Sequence, residues 1–197
     1  STPRMKEMTI KGHVAAKVRG CITAAQCRAI LPLPCALTIV DIVLCDAMLS
    51  VVDGVAQRCH HSFFECARRG RQILDLTFPL SQVLEKGLDD HSRAAVAQSD
   101  IKQFYDHLRP LDVFRWLLRK GLSRGAAFTF LRLHTCVRVN LVVGAAAGKI
   151  EGRCIGVLTG TRSAGCAGRV PLLDCADQLC DQWLGKCYRI PGHAFAL

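Results

Sequence analysis

Asp100 and Asp106 stand six residues apart with an aromatic pair, Phe104 and Tyr105, between them. A carboxylate at the end of a rigid strand is a hard oxygen ligand of the kind that holds Mg²⁺ against substrate phosphates. The same residue at a strand end also forms turns or caps a helix, and the spacing alone leaves both readings open. Asp106 is better placed to cap the helix after it than to bind metal. Further along, Gly156 and Gly160 frame the stretch GVLTG. Glycine there lets backbone approach a ligand closely, or simply makes a turn into a helix.

These groups need elements to position them. Residues 94 to 98 are small and apolar and read as a buried strand leading into Asp100. Upstream, Leu37, Val40, Ile42, Val43, Leu44, Met48, Leu49 and Val52 recur at helical spacing, so a buried helix is expected over residues 35 to 55. A second is expected over residues 73 to 87, stopped by Gly87. Downstream, Pro110 opens an amphipathic helix that Gly121 ends, and Ser123 caps another that runs to about Thr135. Residues 137 to 143 alternate as a strand does. Residues 144 to 148 turn, and residues 149 to 157 return as the partner of a hairpin. A last helix is expected over residues 170 to 184, with Leu172, Leu173, Ala176, Leu179, Cys180 and Trp183 on one face. The order gives an α+β fold, with helices packed on a small antiparallel sheet.

The chain has 197 residues, enough to bury a substantial core in one domain or two lobes. Lysine and arginine number 26 against 16 aspartates and glutamates, a net charge of +10, and the isoelectric point is near 9.2. That balance favours a polyanionic partner such as nucleic acid, although dispersed surface charge kept for solubility gives the same total. The longest apolar stretch, residues 30 to 44, is interrupted by Pro32, Pro34 and Asp41, so no membrane span and no membrane contact are expected. Twelve cysteines occur without a Cys-x-x-Cys pair. The clusters around Cys59, His60, His61 and Cys66, and around Cys175, Cys180, Cys187 and His193, follow no zinc-ligand spacing. Reduced, buried thiols are the expected state.

The stretch SDIKQFYDHL resembles motif A of reverse transcriptases, in particular those of retroelements without long terminal repeats. QCRAILPL, residues 26 to 33, resembles their fingers segment, with Ile10-Lys11-Gly12 ahead of it. FECARRGRQILD, residues 64 to 75, resembles the block between those two motifs, and GVLTGTRSAG resembles motif B. Together the four blocks span about residues 9 to 175. Thr159 stands where most relatives carry Gln, and residues 162 to 165 lack the usual Ser-Pro segment, which marks a divergent branch.

The resemblance implies a partial right-hand polymerase fold, with residues 1 to 92 fingers-like and residues 93 to 197 a partial palm. It implies RNA-directed DNA polymerase chemistry, with Mg²⁺ or Mn²⁺ as cofactor and an RNA template, a DNA primer and deoxynucleoside triphosphates as partners. Asp100 would be catalytic and bind the metal through its carboxylate, and Ile101 through its carbonyl. Lys11, Arg28, Tyr105, Thr159 and Gly160 would meet the nucleotide. Arg68, Arg69, Arg71 and Gly156 would contact nucleic acid, while Asp106 would be structural. The second carboxylate of motif C is not found. Cys175-Ala176-Asp177-Gln178 lies inside a helix, so a fragment cut before motif C is expected, binding nucleic acid better than it polymerises. The alternative is a non-catalytic nucleic-acid-binding or interaction domain, a decayed retroelement copy. Location within the cell stays open between nucleus and cytoplasm.

Overall fold

The computed structural model describes residues 9–16, 27–58, 67, 70–91, 100–143, 146–149, 151–152, 155–183, 189–190 and 193–194. They form β1 (Thr9–Ala16), β2 (Cys27–Ile30), α1 (Cys35–Arg58), α2 (Leu74–Asp89), α3 (Phe104–His107), α4 (Pro110–Arg119) and α5 (Arg124–Thr135). There follow β3 (Arg138–Val143), β4 (Ala146–Ala147), β5 (Glu151–Gly152), α6 (Arg162–Trp183), β6 (Arg189–Ile190) and β7 (His193–Ala194). The mixture of helices with a small sheet agrees with the α+β expectation. The chain divides into two compact units that interleave in sequence, Ser1–Val52 with Gln103–Val170, and Asp53–Lys102 with Pro171–Leu197.

The first unit holds the main sheet, in the order β2-β1-β3-β4, with β5 also on β3. β1 and β2 pair antiparallel, but β1 and β3 run parallel, Ile10 beside Val139 and Gly12 beside Leu141. The expectation of a purely antiparallel sheet is therefore corrected to a mixed one. Local alternation reports a strand but not the direction of a partner more than a hundred residues away. The strand expected after Val137 is present, but its antiparallel partners are two short pieces, one of them, β4, within the expected turn. β4 and β5 pair with the two ends of β3, and the Gly148 amide donates to the Leu141 carbonyl at 2.8 Å. Gly12 is where the sheet is tightest. A Cβ there would fall 2.5 Å from Leu31 Cδ2 and 2.8 Å from Leu141 Cδ2, so any larger residue would push one of them away.

α4 and α5 form as their local signals direct. Pro110 occupies the first turn of α4, where its missing N–H costs nothing. At the other end Gly121 adopts φ +100° while its amide donates to Leu118 and the Leu122 amide to Leu117, a Schellman closure with Leu122 buried beside Leu117. Ser123 then accepts from the Ala126 amide at 3.3 Å and starts α5. Ile10, Met48, Val52, Val113, Leu117, Phe130, Val157 and Leu158 are almost fully buried and make the core of this unit.

α1 departs from the expected helix in one respect. Asp41, Leu44, Cys45, Met48 and Val52 face inward at a 3-4 spacing, yet the apolar residues Ile39, Val40 and Val43 lie exposed on the other side. Cys35–Gln57 contains an 18-residue window of mean hydropathy 2.2 and is long and apolar enough to cross a membrane, which corrects the expectation that no such segment exists. Both prolines precede the helix and so do not interrupt it. A core helix of a globular domain satisfies the same criterion of length and composition.

α6 begins eight residues before the expected helix and passes through Gly165, Gly168 and Pro171. The second unit contains α2, with Pro79 inside it, and the pair β6 and β7. The strand expected over residues 94 to 98 lies outside the described residues.

Candidate functional site

Within the first unit, the sequence blocks resembling motif A and motif B meet. Gln103 takes a left-handed conformation, φ 53°, and turns the chain into α3. The carbonyl of Tyr105 then accepts from the Val157 amide at 2.9 Å, just after Gly156, whose φ of +85° few other residues adopt. Phe104 and Tyr105 pack edge to face, ring centroids 5.4 Å apart, and both lie over Gly168 of α6. Tyr105 keeps 37% of its surface exposed. An aromatic held from beneath but open above can stack on a sugar or base.

Beyond Gly156 the chain buries Val157 and Leu158, exposes Gly160 and enters α6. Four side chains, Thr161, Asp41, Ser163 and His134, hold this entry. Thr161 accepts from the Ala164 amide at 3.1 Å, as an N-cap does. Asp41, from α1, accepts from the Arg162 amide at 2.7 Å through one oxygen. Through the other it accepts from the Ser163 amide at 3.2 Å and from the Ser163 hydroxyl. The first amides of α6 are thus satisfied, and a negative group lies where the helix dipole favours one. Ser163 Oγ also lies 3.2 Å from His134 Nε2, while His134 Nδ1 accepts from the Leu158 amide at 3.0 Å. With Nδ1 accepting, a neutral ring carries its proton on Nε2 and donates it to Ser163. Asp41, Ser163 and His134 are each at most 2% exposed.

An open cleft of about 430 Å³ lies against this arrangement. Ala29, Ile30, Leu31, Pro32 and Leu33 form one apolar wall, and Thr159, Gly160 and Arg162 another, with Thr38 and Asp41 between them. Residues of the fingers-like segment and of the motif B-like turn therefore share one cavity. Thr159 and Gly160 are among its lining residues, and Gly160 takes φ +96°. The backbone of Arg28 pairs with Ala15, one residue before the cleft wall begins. Lys11 is exposed on β1, opposite Asn140 of β3.

Other expected residues stand apart from the cleft's lining. Asp100 and Ile101 are exposed, belong to the second and not the first unit, and are in no regular element. Among the described residues, no group of three or more His, Cys, Asp or Glu side chains is arranged to hold a metal ion. Arg68 and Arg69 lie outside the described residues. Arg71 is partly buried in the second unit. Asp106 lies inside α3, and the N-cap position of α4 is Arg109. Asp112 instead pairs with Arg109 at 3.3 Å. Cys175-Ala176-Asp177-Gln178 is helical, within α6. Five of the described cysteines are free thiols, and two of these, Cys45 and Cys166, meet with their sulfurs 3.5 Å apart.

Asp41, His134, Arg162 and Ser163 were not singled out from sequence. Asp41 is a lone carboxylate on the apolar face that α1 turns inward, and His134 continues the buried Ala127, Phe130 and Leu133 spacing of α5. A single polar residue on such a face is the available signal, since it must find a partner when buried. Comparison of the chain with protein families, curated proteins and solved structures found no match.

Proposed function

We propose that this chain is a reverse-transcriptase-like domain that binds a primer and template and a deoxynucleoside triphosphate through its cleft. The observation that carries the reading is the Tyr105 to Val157 hydrogen bond, which joins the motif A-like aromatic to the motif B-like turn. Thr159 and Gly160 of that turn share the cleft with the fingers-like residues 29 to 33. Apolar walls with two threonines and Arg162, beside an Asp41 carboxylate already engaged by the Arg162 and Ser163 amides and the Ser163 hydroxyl, suit a ligand with a flat apolar part and an anionic part. The net charge of +10 suits a polyanion.

The chain's own groups account for binding. Arg162 on the rim offers a cation to phosphate, Gly160 lets backbone approach the ligand, and Tyr105 presents an open aromatic face. The metal fits less well. Phosphoryl transfer by two metal ions needs more than one carboxylate, and Asp100 is not grouped with the further acids such a site requires among the described residues. Asp100 as a metal ligand rests on the motif resemblance alone.

The test is titration of the chain with a fluorescently labelled RNA–DNA primer–template and, separately, with dATP. Saturable binding of both, weakened at least tenfold by Gly160→Val with folding retained, is expected. Failure to bind either ligand, or equal binding by the variant, overturns the assignment. Primer extension with Mg²⁺ or Mn²⁺ distinguishes the enzymatic alternative, and is expected to be absent for this chain.

A further inference from the structure

We infer that Asp41, acting through Ser163 and His134, is a positioning residue that fixes the turn at residues 157 to 160 as one wall of the cleft. The inference rests on the nucleotide-binding reading for its consequence, but its geometry stands independently. The turn follows Gly156 and ends at Gly160, both at positive φ, and glycine loses more backbone freedom on ordering than any other residue. The Thr161 amide and hydroxyl close it locally on the Leu158 carbonyl, at 3.3 and 2.9 Å, and further holds come from α1 and α5. The Leu158 amide is held by His134 Nδ1, and the opposite ring nitrogen points to Ser163 Oγ. Ser163 Oγ donates to Asp41, whose two oxygens also take the amides of Arg162 and Ser163. One carboxylate on α1 therefore reaches both ends of the turn. It holds the downstream end directly, and the upstream end through a serine and an imidazole.

Donor and acceptor roles leave little latitude. Leu158 supplies a proton to Nδ1, so Nε2 must supply one to Ser163, whose own proton then goes to Asp41. Ser163 and His134 are buried away from the cleft, so water cannot replace a partner lost there, and each deletion leaves a donor or acceptor unmade. The cleft is lined by Asp41, Thr159, Gly160 and Arg162, so a turn released from this chain changes the cleft itself.

The experiment is amide hydrogen exchange by ¹⁵N NMR on the full chain, with dATP titration followed at the Thr159 and Gly160 amides. Asp41→Asn places an amide nitrogen against donors, and Ser163→Ala breaks the link with the least change in volume. Both are expected to speed exchange at Leu158 and Ser163 at least tenfold while α4 amides such as Leu117 keep their protection. The dATP affinity is expected to fall at least fivefold. His134→Asn, whose side-chain oxygen can still accept from Leu158, is expected to retain more Leu158 protection than His134→Leu. Unchanged exchange in Ser163→Ala overturns the inference. So does affinity that stays at the wild-type value in variants whose turn has loosened. A wild-type chain with no dATP response at Thr159 and Gly160 defeats the nucleotide reading instead, and the exchange rates alone then decide whether Asp41 positions the turn.

Discussion

Gly168 and Tyr105 are in contact: a Cβ at position 168 would lie 3.1 Å from the tyrosine ring and 3.4 Å from its hydroxyl. The α6 backbone is therefore the floor on which the aromatic rests. Gly168→Ala gains roughly 1 kcal/mol of helix propensity and offsets it by pressing on both rings, so stability in urea is expected to change by less than about 1 kcal/mol. The Tyr105 ring resonances should nonetheless shift. Gly168→Leu cannot be absorbed by so small a movement and should cost at least about 2 kcal/mol. Equal stability of the two variants would show that the rings do not rest on this glycine.

Phe130 and Phe128 are two residues apart on α5 and differ in environment. Phe130 is fully buried with its ring 4.5 Å from that of His134, whereas Phe128 is 50% exposed and pairs with Phe114 at 5.1 Å. Phe130→Ala should destabilise by about 3 to 5 kcal/mol. Phe128→Ala should lose roughly 0.5 to 1.5 kcal/mol, the worth of one aromatic pair. Chemical denaturation of the two variants checks the ratio, and similar losses would mean that the inward face of α5 is misassigned.

Burial pushes the Cys45 thiol above its ordinary value of 9.0. The hydrogen bond with Cys166 opposes the shift, and the nearby Asp41 and Asp46 charges add to it. The protonated thiol is thus favoured in the folded state. Its contribution is fully present below pH 9 and is lost as the pH rises above 9 towards the folded value, because unfolding then releases the proton. Urea unfolding at pH 8 and pH 10 should show a loss that is smaller in Cys45→Ala. At pH 8, Ellman's reagent should label Cys35, Cys136 and Cys175 in the native protein, and Cys45 only on denaturation.

Nucleic-acid affinity should fall steeply with salt, as each neutralised phosphate releases condensed counterions. Lys11 is exposed on β1. Lys11→Ala is expected to weaken primer–template binding at low salt and reduce the log–log salt slope by roughly 0.7 to 0.9, one phosphate contact. Fluorescence anisotropy from 50 to about 200 mM salt measures it. An unchanged slope would remove Lys11 from the interface.

What sequence revealed and what it hid divides by the range of the interactions. α4 and α5 were legible because Pro110, Gly121 and Ser123 act on their own neighbours. The start of α6 was not. Gly165, Gly168 and Pro171 read as helix breakers, while the carboxylate that satisfies the first amides of α6 is Asp41, 121 residues from Arg162. The parallel pairing of β1 was hidden for the same reason. Thr159 and Gly160 were found through a motif and do line the cleft. Arg162, which lines it with them, lies where the resemblance weakens.

The parallel register of β1 on β3 also governs the order in which the chain can fold. Thr9 pairs with Arg138, so β1 waits for about 130 further residues of synthesis before its neighbour exists. Synthesis at roughly 5 to 20 residues per second makes that interval many seconds. The β1–β2 hairpin then has an unsatisfied edge, and such an edge is a template for intermolecular pairing. High contact order of this kind slows sheet closure. Recombinant yield should therefore respond more to slower translation or to holdase chaperones than to substitutions that merely stabilise the helices.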